Sequence, residues 1–150
     1  GADPDGEMGE DHIPETHMIP LLFQNLNNFV INGNNYQTKD GTCVRDYVHV
    51  TDVANAHLLA MNYLNTWKHG QTATINLGTG VGYSNLEIVN LAKEILGLDI
   101  KYQFGPRRQG DPSKLVASID TAKSLLGYEP KYDISDILKT AYSWYNNERR

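Results

Sequence analysis

The sequence predicts one small mixed α/β domain, and three observations carry that prediction. Apolar residues recur at helical spacing in segments with recognisable caps, as in SNLEIVNLAKEILG, where Ile88, Leu91, Ala92 and Ile95 form one stripe. Short β-branched and aromatic runs such as FVING and IKYQF lie between those segments. The 150 residues contain no internal repeat, low-complexity stretch or linker, and a chain of this length buries roughly 70% of its unfolded surface without a disulfide or metal.

Taken in order, residues 1–15 are rich in Gly, Pro and Asp and read as turns. Their DPDGE core lacks the glycine position and the spacing of an EF-hand, so no metal is assigned to it. ETHMIPLLFQNLNN predicts a short helix from Pro20, and FVING a strand ended by a turn. GTCVRDYVHV has strand composition; Thr51 or Asp52 then caps VANAHLLAMNYLN, a helix apolar almost all round and therefore expected to be buried. TATINLG predicts a strand and TGVGY a turn, after which Ser84 and Glu87 have capping-box spacing and Gly97 stops the helix. IKYQF is a further strand, followed by the basic turn GPRRQGDP and a helix near Asp120–Leu126 closed by Gly127. A last helix from near Asp133 places Ile134, Ile137, Leu138, Ala141, Trp144 and Tyr145 on one face.

Charge excludes some partners. With 18 acidic and 13 basic residues, a net charge of -5 and a pI near 5.4, the chain has no electrostatic footprint for nucleic acid or an anionic membrane. Its apolar runs fall far short of the roughly 20 residues that cross a bilayer. The first 15 residues carry six acids and neither Lys nor Arg, unlike a signal or transit peptide, and the lone Cys43 rules out a disulfide framework, so the expected location is cytoplasmic. The sequence opens at Gly1 within a turn-like segment and has its first methionine at Met8, which reads as a fragment or a processed product.

Several motifs have competing readings. In INLGTGVGYSN, Gly78 and Gly80 match the first two glycines of a dinucleotide fingerprint, with Asp99 about 20 residues on. Bulky Tyr83 occupies the third glycine position and Asp99 precedes its strand, so a tight turn is the favoured reading. None of His12, His17, His49, His57 and His69 pairs with Cys43 or a carboxylate at zinc spacing, and His57 reads as a hydrogen-bonded residue of a buried helix. Cys43 has no activating partner and reads as a small core residue. Arg45, Arg107 and Arg108 stand out in an acidic chain. Guanidinium groups suit bidentate phosphate recognition and nearby Asp111 suits sugar hydroxyls, against the alternative of a solvated turn with internal ion pairs.

The combination of GADPDGEMGEDHIPETHMIP, DGTCVRDYVHVTDVANAHLLAMNYL, INLGTGVGYS and GPRRQGDPSKLVAS resembles the carboxy-terminal half of the UDP-glucose 4-epimerase family, within the extended short-chain dehydrogenases/reductases. The resemblance runs through essentially the whole chain in order. It implies the substrate domain, residues 1–150, of an enzyme that interconverts UDP-galactose and UDP-glucose, without the amino-terminal Rossmann domain that holds NAD. In that family a tyrosine base takes the C4 hydroxyl proton while hydride passes to the nicotinamide, and the keto sugar turns over and is reduced on its other face. By the same resemblance Arg45 and Arg108 bind the pyrophosphate and Asp111 the ribose. Val30, Ile31 and Asn32 read uracil through their backbone, Met18 edges the UDP site, and Tyr47 flanks the phosphates. His17 falls where some members place a sugar-contacting asparagine, and Leu115 on a sugar-pocket position that is tyrosine in some members and smaller in others.

Two departures matter. The position of Asn32 is commonly aromatic in the family, and this chain contains no Tyr-x-x-x-Lys and no glycine-rich NAD fingerprint at an amino-terminal strand. The resemblance therefore implies no catalytic residue and no bound NAD in this chain, family dimer contacts mainly in the absent half, and an apolar face where the other domain packs. The alternatives are a fragment of a nucleotide-sugar dehydratase or decarboxylase, a non-catalytic UDP-sugar-binding or interaction module, and an unfolding-prone truncation product.

Overall fold

Ser84 caps the best-defined helix by the rules its sequence predicts. In the computed structural model, which describes residues 1–67 and 70–147, the Ser84 side chain accepts from the Glu87 N–H and the Glu87 carboxylate accepts from the Ser84 N–H. Gly97 ends that helix in the left-handed region at φ 66°. In chain order the elements are α1 (Met18–Gln24), β1 (Phe29–Asn32), β2 (Val44–Asp46), α2 (Val50–Leu64), β3 (Gly82–Ser84), α3 (Asn85–Leu96), β4 (Tyr102–Gly105), β5 (Lys114–Leu115), α4 (Asp120–Leu126) and α5 (Ile134–Asn147). This is the small mixed α/β domain that the sequence predicts.

The strands form two small sheets. Parallel β1 and β4 pair from Phe29 opposite Tyr102 to Asn32 opposite Gly105. The second sheet has the order β3-β2-β5, antiparallel between β2 and β3 and parallel between β2 and β5, with Arg45 opposite Leu115. The main core lies where α1, β1, α3 and α5 meet, around Leu22, Ile31, Ile88, Val89, Ile137 and Leu138. Burying such side chains contributes roughly 1.5–3 kcal/mol each. A second, smaller cluster joins Ala56, Ile119, Ala122 and Tyr128.

Four expectations are corrected. Residues 72–78, TATINLG, form no strand, because no neighbouring strand supplies a ladder for them. GTCVRDYVHV keeps strand geometry only at Val44–Asp46, since the chain turns at His49 to enter α2. The α2 cap is His49 rather than Thr51 or Asp52: His49 Nδ1 accepts from the Thr51 N–H at 3.1 Å. Asp52 is instead fully buried, accepting from the backbone N–H groups of Lys131 and Tyr132 at 3.1 Å each. Finally, α2 is not buried: Leu58, Met61 and Leu64 are 59%, 63% and 57% exposed. His57 on that helix is exposed as well and bonds only the carbonyl of Val53 at 2.8 Å. His69 lies outside the described residues.

Buried His49 donates or accepts at Nε2 with Thr140 Oγ1 (3.1 Å) and stacks on Tyr132 at 4.1 Å between ring centroids. Burial, followed by the field of the amino terminus, lowers its pKa and favours the neutral ring. With Nδ1 accepting from Thr51, the neutral tautomer carries its proton on Nε2 and donates to Thr140.

Candidate functional site

A cavity of about 700 Å3 opens between the amino end of α1, the strand β1, the strand β2 and the basic turn after β4. Its wall includes His17, Met18, Val30, Ile31, Asn32, Arg45, Tyr47, Arg108 and Asp111, nine of the ten residues singled out from the sequence. The tenth, Leu115, is not part of that wall. It sits on β5 opposite Arg45 and is 61% exposed.

Strand pairing explains why the basic residues meet. The parallel register of β2 with β5 sets Val44 opposite Lys114, which brings the turn 106–113 beside Arg45. The Arg45 guanidinium donates through Nη1 to the carbonyls of Val44 (2.8 Å) and Pro112 (2.9 Å), and its Nη2 faces Asp111 Oδ1 at 3.3 Å. These contacts fix the planar fork in place and leave part of its donor capacity to a ligand. Arg108 is exposed on the same wall, whereas the Arg107 guanidinium lies over the Tyr36 ring, 3.8 Å from its centroid. Neighbouring arginines thus have different work.

Tyr47, mostly buried, donates its hydroxyl to Met18 Sδ at 2.9 Å, with Asn85 Oδ1 at 3.5 Å. Burial, and secondarily the Cys43 side chain, push the phenol pKa well up, so Tyr47 stays protonated and serves as a donor rather than a base. Cys43 is buried and accepts from Asn85 Nδ2 at 3.2 Å, which agrees with its reading as a core residue.

The acidic rim holds what the sequence reading missed. Glu10, His12, Glu15 and His17 converge, each offering one donor atom within 4.8 Å of the others. His17 Nδ1 lies 2.6 Å from Glu10 Oε1 and 3.0 Å from Glu15 Oε1. Burial opposes ionisation of Glu15, but the backbone N–H groups of His17 and Thr16 and the His17 ring together hold its pKa below the usual carboxylate value. Loop path, not regular spacing, creates this cluster. The available signal was the density of His and Glu within residues 10–17.

The glycine turn that resembles a dinucleotide fingerprint is internally satisfied. Asp46 accepts from the Thr79 N–H (2.9 Å), Thr79 Oγ1 (2.7 Å), the Gly80 N–H (3.0 Å) and the Ala117 N–H (3.3 Å). A Cβ at Gly78 would strike the Asp46 carboxylate and lie 2.8 Å from Ala117 Cβ. A negatively charged phosphate does not fit where a carboxylate already takes those donors, so this turn does not suit the pyrophosphate of NAD.

Comparison with known proteins fits the geometry. The family model described as GDP-mannose 4,6 dehydratase matches residues 8–141. The UDP-glucose 4-epimerase of Lacticaseibacillus casei is 48% identical over 98% of this chain and 45% of its own length. That of Halalkalibacterium halodurans is 44% identical over 97% of this chain and 44% of its own. Among solved structures, the Stenotrophomonas maltophila epimerase with bound NAD and formylated UDP-arabinopyranose superposes with a TM-score of 0.93 at 34% identity, covering 100% of this chain and 46% of that one. The Bifidobacterium longum epimerase in complex with NAD+ and UDP gives 0.88 at 32% identity, covering 99% and 45%. The chain thus spans less than half the length of the relatives it matches, in keeping with the carboxy-terminal half that its motifs resemble. No helix among the described residues is long and apolar enough to cross a membrane.

Proposed function

The chain belongs to the GDP-mannose 4,6-dehydratase family, and from that premise we propose that it is the nucleotide-sugar-binding domain of a UDP-glucose 4-epimerase, gripping the UDP part of UDP-glucose and UDP-galactose. One observation carries the reading: Arg45, Arg108 and Asp111 share a cavity with the β1 backbone in a chain of net charge -5. Guanidinium groups match the charge and fork geometry of a pyrophosphate, and a carboxylate accepts from the two ribose hydroxyls. The Val30–Asn32 segment takes the uracil edge, and Tyr47 flanks the phosphate side. His17 and Met18 stand where the sugar leaves the nucleotide.

Epimerisation needs NAD, and the Gly78–Gly80 turn does not suit it. The proposal therefore assigns this chain substrate binding only and predicts no turnover by it alone. An NAD-binding domain is its working partner, and the exposed apolar side of α2, with Leu58, Met61 and Leu64, supports a packed neighbour there.

Calorimetric titration with UDP, UDP-glucose and GDP at fixed salt tests the assignment. UDP and UDP-glucose are expected to bind, with GDP weaker by at least roughly tenfold because a purine overfills the pyrimidine end. Failure to bind UDP at millimolar concentration overturns the proposal. Preference for GDP instead favours the dehydratase reading that the description of the family model raises.

A further inference from the structure

We propose that Glu10, His12, Glu15 and His17 form a binding site for one divalent transition-metal ion of the Zn2+ class at the rim of the cavity. The four side chains already converge, with one donor atom from each inside a 4.8 Å span. Adjacent donors on a tetrahedral zinc ion lie about 3.3–3.5 Å apart, so small side-chain rotations are enough to close the shell.

Without an ion, the hydrogen bonding at this point is frustrated. His17 Nδ1 carries at most one proton, yet carboxylate oxygens of Glu10 and Glu15 stand 2.6 and 3.0 Å from it. Two acceptors compete for one hydrogen. A cation among the four groups gives each donor atom its own bond and neutralises the two carboxylate charges together. Two imidazoles select a first-row transition ion over Mg2+ or Ca2+, which prefer oxygen ligands throughout.

The surrounding structure holds the donors in position. Trp144 Nε1 on α5 donates to the Glu10 carbonyl at 3.2 Å, and Gly9 sits so close to that indole that a Cβ there would collide with the ring. The Glu15 side chain is only 7% exposed and is oriented by the N–H groups of Thr16 and His17. His17 is the residue before α1 but makes no side-chain capping bond, so its ring is not committed to the helix end and contacts only members of the cluster through Nδ1. Four protein donors close a zinc shell, which marks a structural rather than a catalytic ion. Its effect is to tie the loop 10–17 to α1 and α5 and so to fix one wall of the cavity.

The test uses the untagged 150-residue chain stripped with a chelator. Co2+ is added as a spectroscopic probe, and Zn2+ then competes for the site. One equivalent of Co2+ is expected, with the visible bands of a tetrahedral ion, displaced by one equivalent of Zn2+. Loss of even an outer partner of a metal ligand costs about 10–100-fold, so His12→Ala and His17→Ala are each expected to weaken Zn2+ at least about 100-fold. Both side chains are exposed, and far-UV circular dichroism verifies that the variants keep the fold. His57→Ala, on exposed α2, leaves binding unchanged. Saturating Zn2+ also slows proteolytic cleavage within residues 10–17 of the wild type. Failure of the wild type to take up one equivalent, or equal Zn2+ affinity in the wild type, His12→Ala and His17→Ala, overturns the proposal.

Discussion

Two turns in this chain, 78–81 and 105–111, carry the glycines and polar groups from which phosphate sites are built, but they end differently. In the first, the N–H of Gly80 and both donors of Thr79 point at Asp46, a residue of the same fold. In the second, Arg108 faces a cavity and Arg45 beside it retains donor capacity. The difference teaches that glycine spacing by itself says little about anion binding. What decides is whether internal carboxylates leave any donor over, as they do at Arg45 and Arg108, because a second negative charge cannot share a donor without losing the stabilisation of the first.

The largest expected effect breaks the first turn. Asp46→Ala removes the acceptor of four donors, two of them contributed by Thr79, and leaves N–H groups in a partly buried place without a partner. Hydrogen bonds to a charged group contribute about 1.5–3 kcal/mol each and are not additive, so a loss of about 3 kcal/mol or more in unfolding free energy is expected. Urea denaturation measures it. A loss below about 1 kcal/mol would mean that water replaces the carboxylate at little cost.

The second effect concerns ligand rather than stability. If Arg45 and Arg108 hold a pyrophosphate, each supplies a charge-assisted bond of about 1.5–3 kcal/mol, and replacing either by Ala weakens UDP by roughly 10- to 150-fold. Uridine, which has no phosphate, should hardly distinguish those variants from the wild type, whereas Asp111→Ala should weaken uridine and UDP alike. Calorimetry at one fixed salt concentration separates the cases, since phosphate contacts are screened.

How far the sequence reveals these outcomes depends on how local their causes are. The Ser84–Glu87 capping box and the glycines that end α3 and α4 involve residues within one turn of each other, and the structure has them where the pattern puts them. TATINLG has strand composition, but a strand exists only with a partner, and nothing in the segment says that it lacks one. The apolar surface of α2 likewise specifies a helix without specifying what covers it, which is why its expected burial failed. An imidazole in place of the usual short side chain concealed the His49 cap. Convergence of the cavity wall followed from family resemblance rather than from periodicity. Meeting points made by an irregular loop, such as Glu10 with His17, had no repeat from which to be read.

The smallest expected effect sharpens the comparison within the basic turn itself. Arg107 and Arg108 are adjacent and chemically identical, so a mere excess of positive charge would make them equivalent for UDP. Their surroundings are not equivalent. Arg107 lies over the ring of Tyr36, which is only 5% exposed, and Gly33, with φ at +83°, leaves no room beside them: a Cβ there would lie 2.6 Å from both Arg107 Cγ and Tyr36 Cε2. That packing holds the guanidinium on the aromatic face, away from the wall that Arg108 lines. Removing Arg107 costs the cation–π contact, about 0.5–2 kcal/mol, and appears as lower stability. For UDP it removes only a screened charge, so Arg107→Ala should bind within about threefold of the wild type. Measuring stability and UDP affinity on the same preparation makes the contrast decisive. If Arg107→Ala loses UDP as strongly as Arg108→Ala while keeping its stability, the turn acts through bulk charge, and the distinction between an arginine stacked on Tyr36 and one facing the cavity fails.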